Sequence, residues 1–172
     1  DAPVETFDLF GSALATLGDV NGDGYGDLAV AALGDDDGQT DGTVCDVYRG
    51  AVWILFLGPN ATVRSYVKLS STSPASNGLL SDDIYWFGWS LAGPGDLDGD
   101  GVPDLVVGDR FAYIESHRQG AVQLLLLNRD GTLREIRTIP NPELLSEDQG
   151  DQRLLFGSSV THLGDLNGDG VG

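Results

Sequence analysis

Short apolar runs separated by glycine-rich, acidic turns dominate the hydrophobic pattern of this chain. The runs contain many β-branched and aromatic residues and are bounded by Gly, Asp, Asn and Pro, which predicts strands rather than helices. The third run of each half is apolar throughout, as expected for a sheet covered on both faces. The predicted strands lie near Ser12–Leu17, Leu28–Leu33, Ala51–Leu57 and Val63–Leu69, and near Ser90–Gly93, Leu105–Asp109, Ala121–Leu127 and Leu133–Ile139.

The pattern repeats along the chain. Three segments align without gaps, and each opens with Phe-Gly and reaches Gly-Asp-x-(Asn/Asp)-Gly-Asp-Gly: Phe10–Gly26, Phe87–Pro103 and Phe156–Gly172. The similarity of the first two copies continues through the following apolar runs. Most of the extra length of the first copy falls between Asp27 and Gly50, which predicts a loop there.

Four strands in each repeat predict an all-β fold made of β-propeller blades. We divide the chain into a lead-in at 1–9, a first blade at 10–86, a second blade at 87–155, and the first strand and acidic loop of an incomplete third blade at 156–172. Since closed propellers use about four to eight blades, we expect either further chain or several chains to complete the structure.

The acidic loop of each repeat predicts a calcium site. Oxygen-bearing side chains at alternate positions of a tight loop can converge on one ion, and an all-oxygen set suits calcium better than magnesium or zinc. Glycine at position 6 permits the sharp turn. Numbered from the first Asp, positions 1, 3 and 5 are Asp19, Asn21 and Asp23, then Asp96, Asp98 and Asp100, then Asp165, Asn167 and Asp169; position 7 offers the carbonyl of Tyr25, Val102 or Val171; position 9 is Asp27 or Asp104.

These loops have two other interpretations. An EF-hand needs an acidic residue at position 12, where this chain has Val30 and Val107 inside predicted strands, so that interpretation fails. Alternatively, the Asx-Gly turns only end strands and their carboxylates are solvated. The third loop has no position 9 ligand within the chain, so we expect that site to be weak, empty or completed elsewhere.

Charge and composition exclude several function classes. The chain has 27 Asp and Glu against 9 Lys and Arg, and a net charge of −18 repels nucleic acids and anionic lipids. The longest apolar run, Ala51–Leu57, is too short for a membrane span, so we expect no membrane insertion. The sequence starts at Asp1 without a Met and without a basic n-region followed by an apolar stretch, so any signal peptide is expected to be removed or to lie outside this sequence. Cys45 is a single cysteine, which rules out a disulfide framework.

The order Phe-Gly, then Gly-Asp-x-(Asn/Asp)-Gly-Asp-Gly-x-x-Asp-Leu, then Val-Ala-Ala or Val-Val-Gly resembles the FG-GAP repeat of integrin α-subunit propellers. The resemblance covers nearly the whole chain. It implies that the acidic loop joins the first two strands of each blade and binds Ca²⁺ through the ligands named above. It also implies a secreted or cell-surface protein that binds its partner on the blade face opposite the calcium loops.

That opposite face is predicted to carry the long acidic segments Gly34–Arg49, Ser70–Trp86 and Pro140–Leu155. Long loops on a rigid scaffold usually hold binding sites, although solvated loops without a ligand fit equally. Tyr85, Trp86 and Trp89 predict either a sugar platform or core packing. Asn60-Ala61-Thr62 is a glycosylation sequon in a predicted turn, or a chance match.

Catalysis has little support, since His117 and His162 are the only histidines and neither lies in a nucleophile motif. We therefore expect a non-catalytic, calcium-stabilised extracellular module for adhesion or for binding a protein or glycan ligand. One alternative is a structural subunit that self-assembles with other copies into a fibre or sheath through incomplete blades. A second is an accessory repeat region of a secreted hydrolase.

Overall fold

Two four-stranded antiparallel sheets form the framework of the described protein. The structure is a computed structural model that describes residues 7–36, 48–80, 86–114, 117–142 and 155–164. The first sheet has the order β1-β2-β3-β4, with β1 Phe10–Gly18, β2 Asp27–Ala32, β3 Ala51–Leu57 and β4 Val63–Leu69. The second has the order β10-β9-β6-β5, with β5 Ser90–Gly95, β6 Asp104–Asp109, β9 Ala121–Leu127 and β10 Leu133–Pro140.

These sheets confirm the predicted all-β class, and each has the form of a propeller blade, although the two do not close into a ring. A hairpin of β7 (Tyr113–Ile114) and β8 (His117–Arg118) lies between β6 and β9 and was not predicted. The helical segments of the described chain are two 3₁₀ turns, Pro59–Ala61 and Pro74–Ser76. Neither of these turns has the length and apolar character that a helix needs to cross a membrane.

The main core lies between the two sheets. Alternate residues of the central strands point into it, such as Ile54 from the first sheet and Leu125 from the second, both fully buried. The first strands of the two sheets run close together, because a Cβ at Gly93 of β5 would overlap the carbonyl oxygen of Thr16 in β1. The two sheets therefore pack face to face through one continuous apolar layer.

The Phe-Gly pairs that open the second and third repeats lie against the sheet of the preceding repeat. Phe87 is only 1% exposed within the core between the sheets, and its backbone N–H donates to the carbonyl of Arg49 at 2.9 Å. The neighbouring Gly50 has φ +78°, and a Cβ there would overlap the backbone of Phe87. This close approach explains why glycine precedes the third strand.

The third copy begins with the same contact. Phe156 bridges Gly120 in parallel, and its N–H donates to the carbonyl of Gln119 at 3.4 Å. Gly120 has φ +74°, and an added Cβ would overlap the Phe156 backbone, as at the preceding repeat. The opening of the third copy is thus seated on the second sheet in the way that Phe87 is seated on the first.

Beyond Phe156, residues 157–164 form no strand. In both complete sheets the first strand pairs with the strand that follows the acidic loop, and no described residue has that role for the third copy. The opening strand of a third blade and the proposed boundaries at 10, 87 and 156 therefore stay predictions. The third predicted metal site, Asp165, Asn167, Asp169 and Val171, lies outside the described residues.

Candidate metal centre in the acidic loops

Loop 1 (residues 19–26) joins β1 to β2, and loop 2 (residues 96–103) joins β5 to β6, so both acidic loops link the first two strands of a sheet. Glycines allow the chain to turn back on itself at positions 4 and 6. In loop 1 these are Gly22 and Gly24, with φ +77° and +91°. In loop 2 they are Gly99 and Gly101, with φ +82° and +83°. A side chain at any of these positions would strain the backbone.

The aspartate at position 1 organises loop 1. Asp19 Oδ1 accepts hydrogen bonds from the backbone N–H groups of Gly22 (2.8 Å) and Asp23 (2.9 Å). Its Oδ2 accepts from the N–H of Gly24 at 2.8 Å. One carboxylate therefore satisfies three consecutive amides of a segment that has no regular secondary structure.

Loop 2 repeats this arrangement. Asp96 accepts from the N–H groups of Gly99 (2.8 Å), Asp100 (3.1 Å) and Gly101 (2.8 Å). These bonds, above all the one from Gly101, hold the pKa of Asp96 below its usual value. The position 1 carboxylate of loop 2 is therefore charged at neutral pH.

Positions 3 and 5 also match between the loops. Asn21 Oδ1 accepts from Asp23 N–H at 2.9 Å, and Asp23 Oδ1 accepts from Tyr25 N–H at 3.0 Å. The corresponding bonds in loop 2 run from Asp100 to Asp98 Oδ1 at 3.2 Å and from Val102 to Asp100 Oδ1 at 2.8 Å. Asn21, Asp23, Asp98 and Asp100 thus each use their Oδ1 for a backbone N–H of the loop. The second oxygen of Asp23 accepts from Asn21 Nδ2 at 3.3 Å.

The position 9 aspartate connects each loop to the centre of its sheet. Asp27 is 1% exposed; its Oδ2 accepts from Val20 N–H at 2.9 Å and its Oδ1 from Leu57 N–H at 3.0 Å. Leu57 ends β3, so one carboxylate ties the loop to a strand thirty residues away. The sequence pattern predicts Asp27 as a ligand but gives no sign of this second role, because Leu57 is far away in the chain.

Asp104 makes the same connection in loop 2. It is fully buried and accepts from Leu97 N–H at 2.8 Å and from Leu127 N–H at 3.1 Å. Burial raises the pKa of Asp104, and its two backbone hydrogen bonds oppose that shift only in part. An ionised Asp104 would therefore be stabilised by a nearby cation.

Three of the predicted ligands converge in loop 2. One carboxylate oxygen from each of Asp96, Asp98 and Asp104 lies within 4.8 Å of the other two. A carboxylate has about four lone-pair sites, so Asp104 keeps two after its two backbone bonds. The donors are all oxygen and carry several negative charges, which fits a hard cation such as Ca²⁺. In loop 1 an amide, Asn21, replaces the carboxylate of Asp98.

Arginines from the fourth strands contact the same loops, which the sequence analysis did not anticipate. Arg64 Nη1 lies 3.1 Å from Asp23 Oδ2. Arg134 forms an ion pair with Asp98 and lies 3.1 Å from Asp100 Oδ2. No local sequence pattern reveals these pairs, because each joins residues that are far apart in the chain and that only the sheet brings together.

The end of the sheets opposite these loops carries a group of contacting aromatic rings. Trp86 and Trp89 have ring centroids 6.1 Å apart, and Tyr48 and Phe111 lie 5.2 and 6.3 Å from Trp86. All four are partly buried. Two members of the predicted sugar platform therefore contact each other, whereas Tyr85 lies outside the described residues.

Asn60 of the sequon is exposed in the 3₁₀ turn Pro59–Ala61, with φ 58°. This turn joins β3 to β4 at the same end of the sheet as loop 1, as predicted. Cys45 falls outside the described ranges. Whether Asn60 carries a glycan stays a prediction.

Comparison with known proteins gives a consistent result. The family model for the FG-GAP repeat matches residues 10–55 and 87–125. The chain is 40% identical over 105 residues to human integrin alpha-IIb, covering 60% of this chain and 8% of the relative. It is 42% identical over 101 residues to Drosophila melanogaster integrin alpha-PS2, covering 58% and 6%. It is 37% identical over 150 residues to mouse integrin alpha-M, covering 86% and 12%. The chain thus spans only a small part of the length of these relatives.

Proposed function

Because this chain belongs to the FG-GAP repeat family of integrin α-like proteins, we propose that it is a calcium-stabilised β-propeller module that binds a partner outside the cell and performs no catalysis. The observation that carries this proposal is the repeated loop in which Asp96, Asp98 and Asp104 bring carboxylate oxygens together. A module of this kind needs the ion for the shape of its loops and not for a reaction.

In this proposal each loop holds one Ca²⁺. The ion would neutralise carboxylates that otherwise repel one another, and it would join the first strand, the loop and the buried aspartate of each sheet. The ligands are the side chains at positions 1, 3, 5 and 9 and the carbonyl at position 7: Asp19, Asn21, Asp23, Tyr25 and Asp27 in loop 1, and Asp96, Asp98, Asp100, Val102 and Asp104 in loop 2. A third site at Asp165, Asn167, Asp169 and Val171 would lack a position 9 ligand within this sequence.

We place the partner on the face opposite the loops. The integrin relatives favour a protein ligand and a location at the cell surface or outside the cell. The partly buried aromatic group on that face leaves a glycan as the second class of ligand. A net charge of −18 argues against nucleic acids and against membrane insertion.

Calcium titration of the metal-free chain tests this proposal. We expect calcium to bind and to raise the midpoint of thermal unfolding, with affinities of about 10⁻⁴ to 10⁻³ M as in other extracellular modules. Asp96→Ala should abolish one binding event. Asp130→Asn is the matched control, because it also removes one negative charge but lies in the β9–β10 turn and makes its hydrogen bonds to Thr132. Absence of calcium binding to the wild-type protein, or equal binding by both variants, would contradict the proposal.

The self-assembling subunit stays an alternative, and one surface favours it. On the outer face of the first sheet, Leu14 is 62% and Tyr66 is 50% exposed, beside Val30 and Trp53 of the neighbouring strands. An apolar sheet face of this kind commonly marks a contact surface. Light scattering in calcium and in chelator distinguishes the two functions: a fibre-forming subunit gives polymers in calcium that chelation dissolves, and a binding module stays small in both.

A further inference from the structure

We infer that Arg64 and Arg134 weaken the affinity of the acidic loops for calcium, because their guanidinium groups neutralise the loop carboxylates when no ion is bound. This inference rests on the proposed calcium function and assigns a role to two residues outside the ligand set. It concerns how firmly an ion is held, and not whether the loops bind one.

The two arginines occupy equivalent places in the fold. Each is the second residue of the fourth strand of its sheet, Arg64 in β4 and Arg134 in β10. Each reaches across the end of its sheet to the position 5 carboxylate of its own loop, at 3.1 Å in both cases. Since the contact recurs in both repeats, the strand position and not a chance surface rotamer places it.

The side chain of Arg64 is also held from other sides. Its guanidinium lies 5.2 Å from the ring centroid of Tyr25, the position 7 residue of loop 1. It also covers Gly58, where a Cβ would overlap the Arg64 side chain. A longer residue at 58 would push Arg64 out of this place. The guanidinium therefore has a defined location beside the loop.

Each arginine contacts the carboxylate oxygen that accepts no backbone N–H of the loop, although Asp23 Oδ2 also accepts from Asn21 Nδ2. Oδ1 of Asp23 and of Asp100 accepts a backbone N–H of the loop, and Oδ2 of each contacts the arginine. A calcium ion bound at positions 1, 3, 5 and 9 must share or displace this contact. The arginine and the ion therefore compete for the same negative charge.

Loop 2 has the larger charge to neutralise. Its side chains at positions 1, 3, 5 and 9 are four carboxylates, whereas loop 1 has three because Asn21 takes position 3. Arg134 contacts the additional carboxylate, Asp98, as well as Asp100. Its effect on calcium affinity should therefore exceed that of Arg64.

The two roles of the arginine give opposite signs when it is removed. Without calcium, loss of Arg134 leaves the carboxylates to repel one another, so the protein should unfold more easily. With calcium, loss of a positive charge beside a divalent ion should tighten binding. We expect Arg134→Gln to bind calcium about 3- to 10-fold more tightly at low salt, and Arg64→Gln about 2- to 3-fold, with both differences shrinking as salt is added.

Arg137→Gln is the matched control. Arg137 lies on the same strand, and its Nε contacts Glu135 at 2.6 Å instead of either loop. Its substitution changes the net charge by the same amount, so any general effect of charge on calcium binding appears there as well. Arg134→Lys keeps the charge near the loop and should bind calcium about as the wild-type protein does.

Calorimetric calcium titration and thermal unfolding in chelator, on the full chain, complete the test. The inference is supported if Arg134→Gln binds calcium more tightly than Arg137→Gln and melts at a lower temperature than Arg137→Gln in chelator. It is overturned if Arg134→Gln binds calcium as tightly as Arg137→Gln or more weakly. Loss of an arginine with a merely structural role would lower both the calcium affinity and the melting temperature. If the wild-type protein binds no calcium, the proposed function itself fails. If the wild-type protein binds calcium but Arg134→Gln binds it no more tightly, only the present inference fails.

Discussion

A buried carboxyl group at the end of β6 gives the sharpest prediction for stability. Asp109 is 1% exposed; its Oδ1 accepts from Phe111 N–H at 3.2 Å, and Gln123 Nε2 donates to its Oδ2 at 3.4 Å. Gln123 Oε1 is buried and has no hydrogen-bond partner among the described residues. Burial raises the pKa of Asp109 from 3.8 to about 6.

This shift sets both the sign and the size of the effect. Because the folded-state pKa is raised, the contribution of Asp109 to stability is most favourable below pH 4. This contribution is lost as the pH rises from 4 to 6. Each pKa unit corresponds to about 1.4 kcal/mol, so the ionised group costs about 3 kcal/mol at pH 7. Asp109→Asn removes this cost, and its amide can donate to Gln123 Oε1 once the Gln123 amide is turned over.

We therefore expect Asp109→Asn to be more stable than the wild-type protein at pH 7 by about 2–3 kcal/mol, with the difference close to zero at pH 4. Urea unfolding between pH 3 and 7.5, at constant calcium, measures it. Asp130→Asn is the control, since Thr132 lowers the pKa of Asp130 and its substitution should cost stability at pH 7 and progressively less as the pH falls below 4. If Asp109→Asn were equally or less stable at pH 7, the burial argument would be refuted.

Three further substitutions test the packing and the loops. Phe87→Ala should lower the free energy of unfolding by about 3–5 kcal/mol, since Phe87 is almost fully buried between the sheets; urea unfolding measures this, and a loss below about 1 kcal/mol would contradict it. Gly120→Ala should lower the free energy of unfolding by at least about 1–2 kcal/mol, because φ is +74° and the Phe156 backbone leaves no room for a Cβ. Chemical denaturation measures this, and a variant as stable as the wild-type protein would contradict the contact. Asp104→Asn should weaken calcium binding at loop 2 because it removes one carboxylate of the proposed ligand set; a calorimetric titration that gives wild-type affinity would count against this role.

The strands and the loop positions were predictable because their causes are local. Apolar alternation and the flanking Gly and Asp residues fix where a strand can start and stop, and six of the eight predicted strands begin and end within one residue of those in the structure. The exceptions are β1, which begins two residues early at Phe10, and β5, which runs on to Gly95 because Gly95 pairs with Asp104 across an irregular register. The tight turns at positions 4 and 6 likewise follow from glycine alone.

The remaining features depend on contacts between distant parts of the chain. The bonds from Leu57 to Asp27 and from Leu127 to Asp104 exist only once the third strand lies beside the second. The reach of Arg134 to loop 2 depends on the strand order of the sheet. The β7–β8 hairpin is built of two-residue strands, which are too short for a periodic pattern to show.

The seating of the second and third Phe-Gly pairs on the preceding sheet has a practical consequence for the division of these repeats. A fragment that stops at residue 86 would lose Phe87 together with the second sheet, and the inner face of its own sheet would lose its contact with this phenylalanine. Engineered junctions between these repeats should therefore lie after the phenylalanine and glycine, so that every unit keeps the Phe-Gly pair of the repeat that follows it.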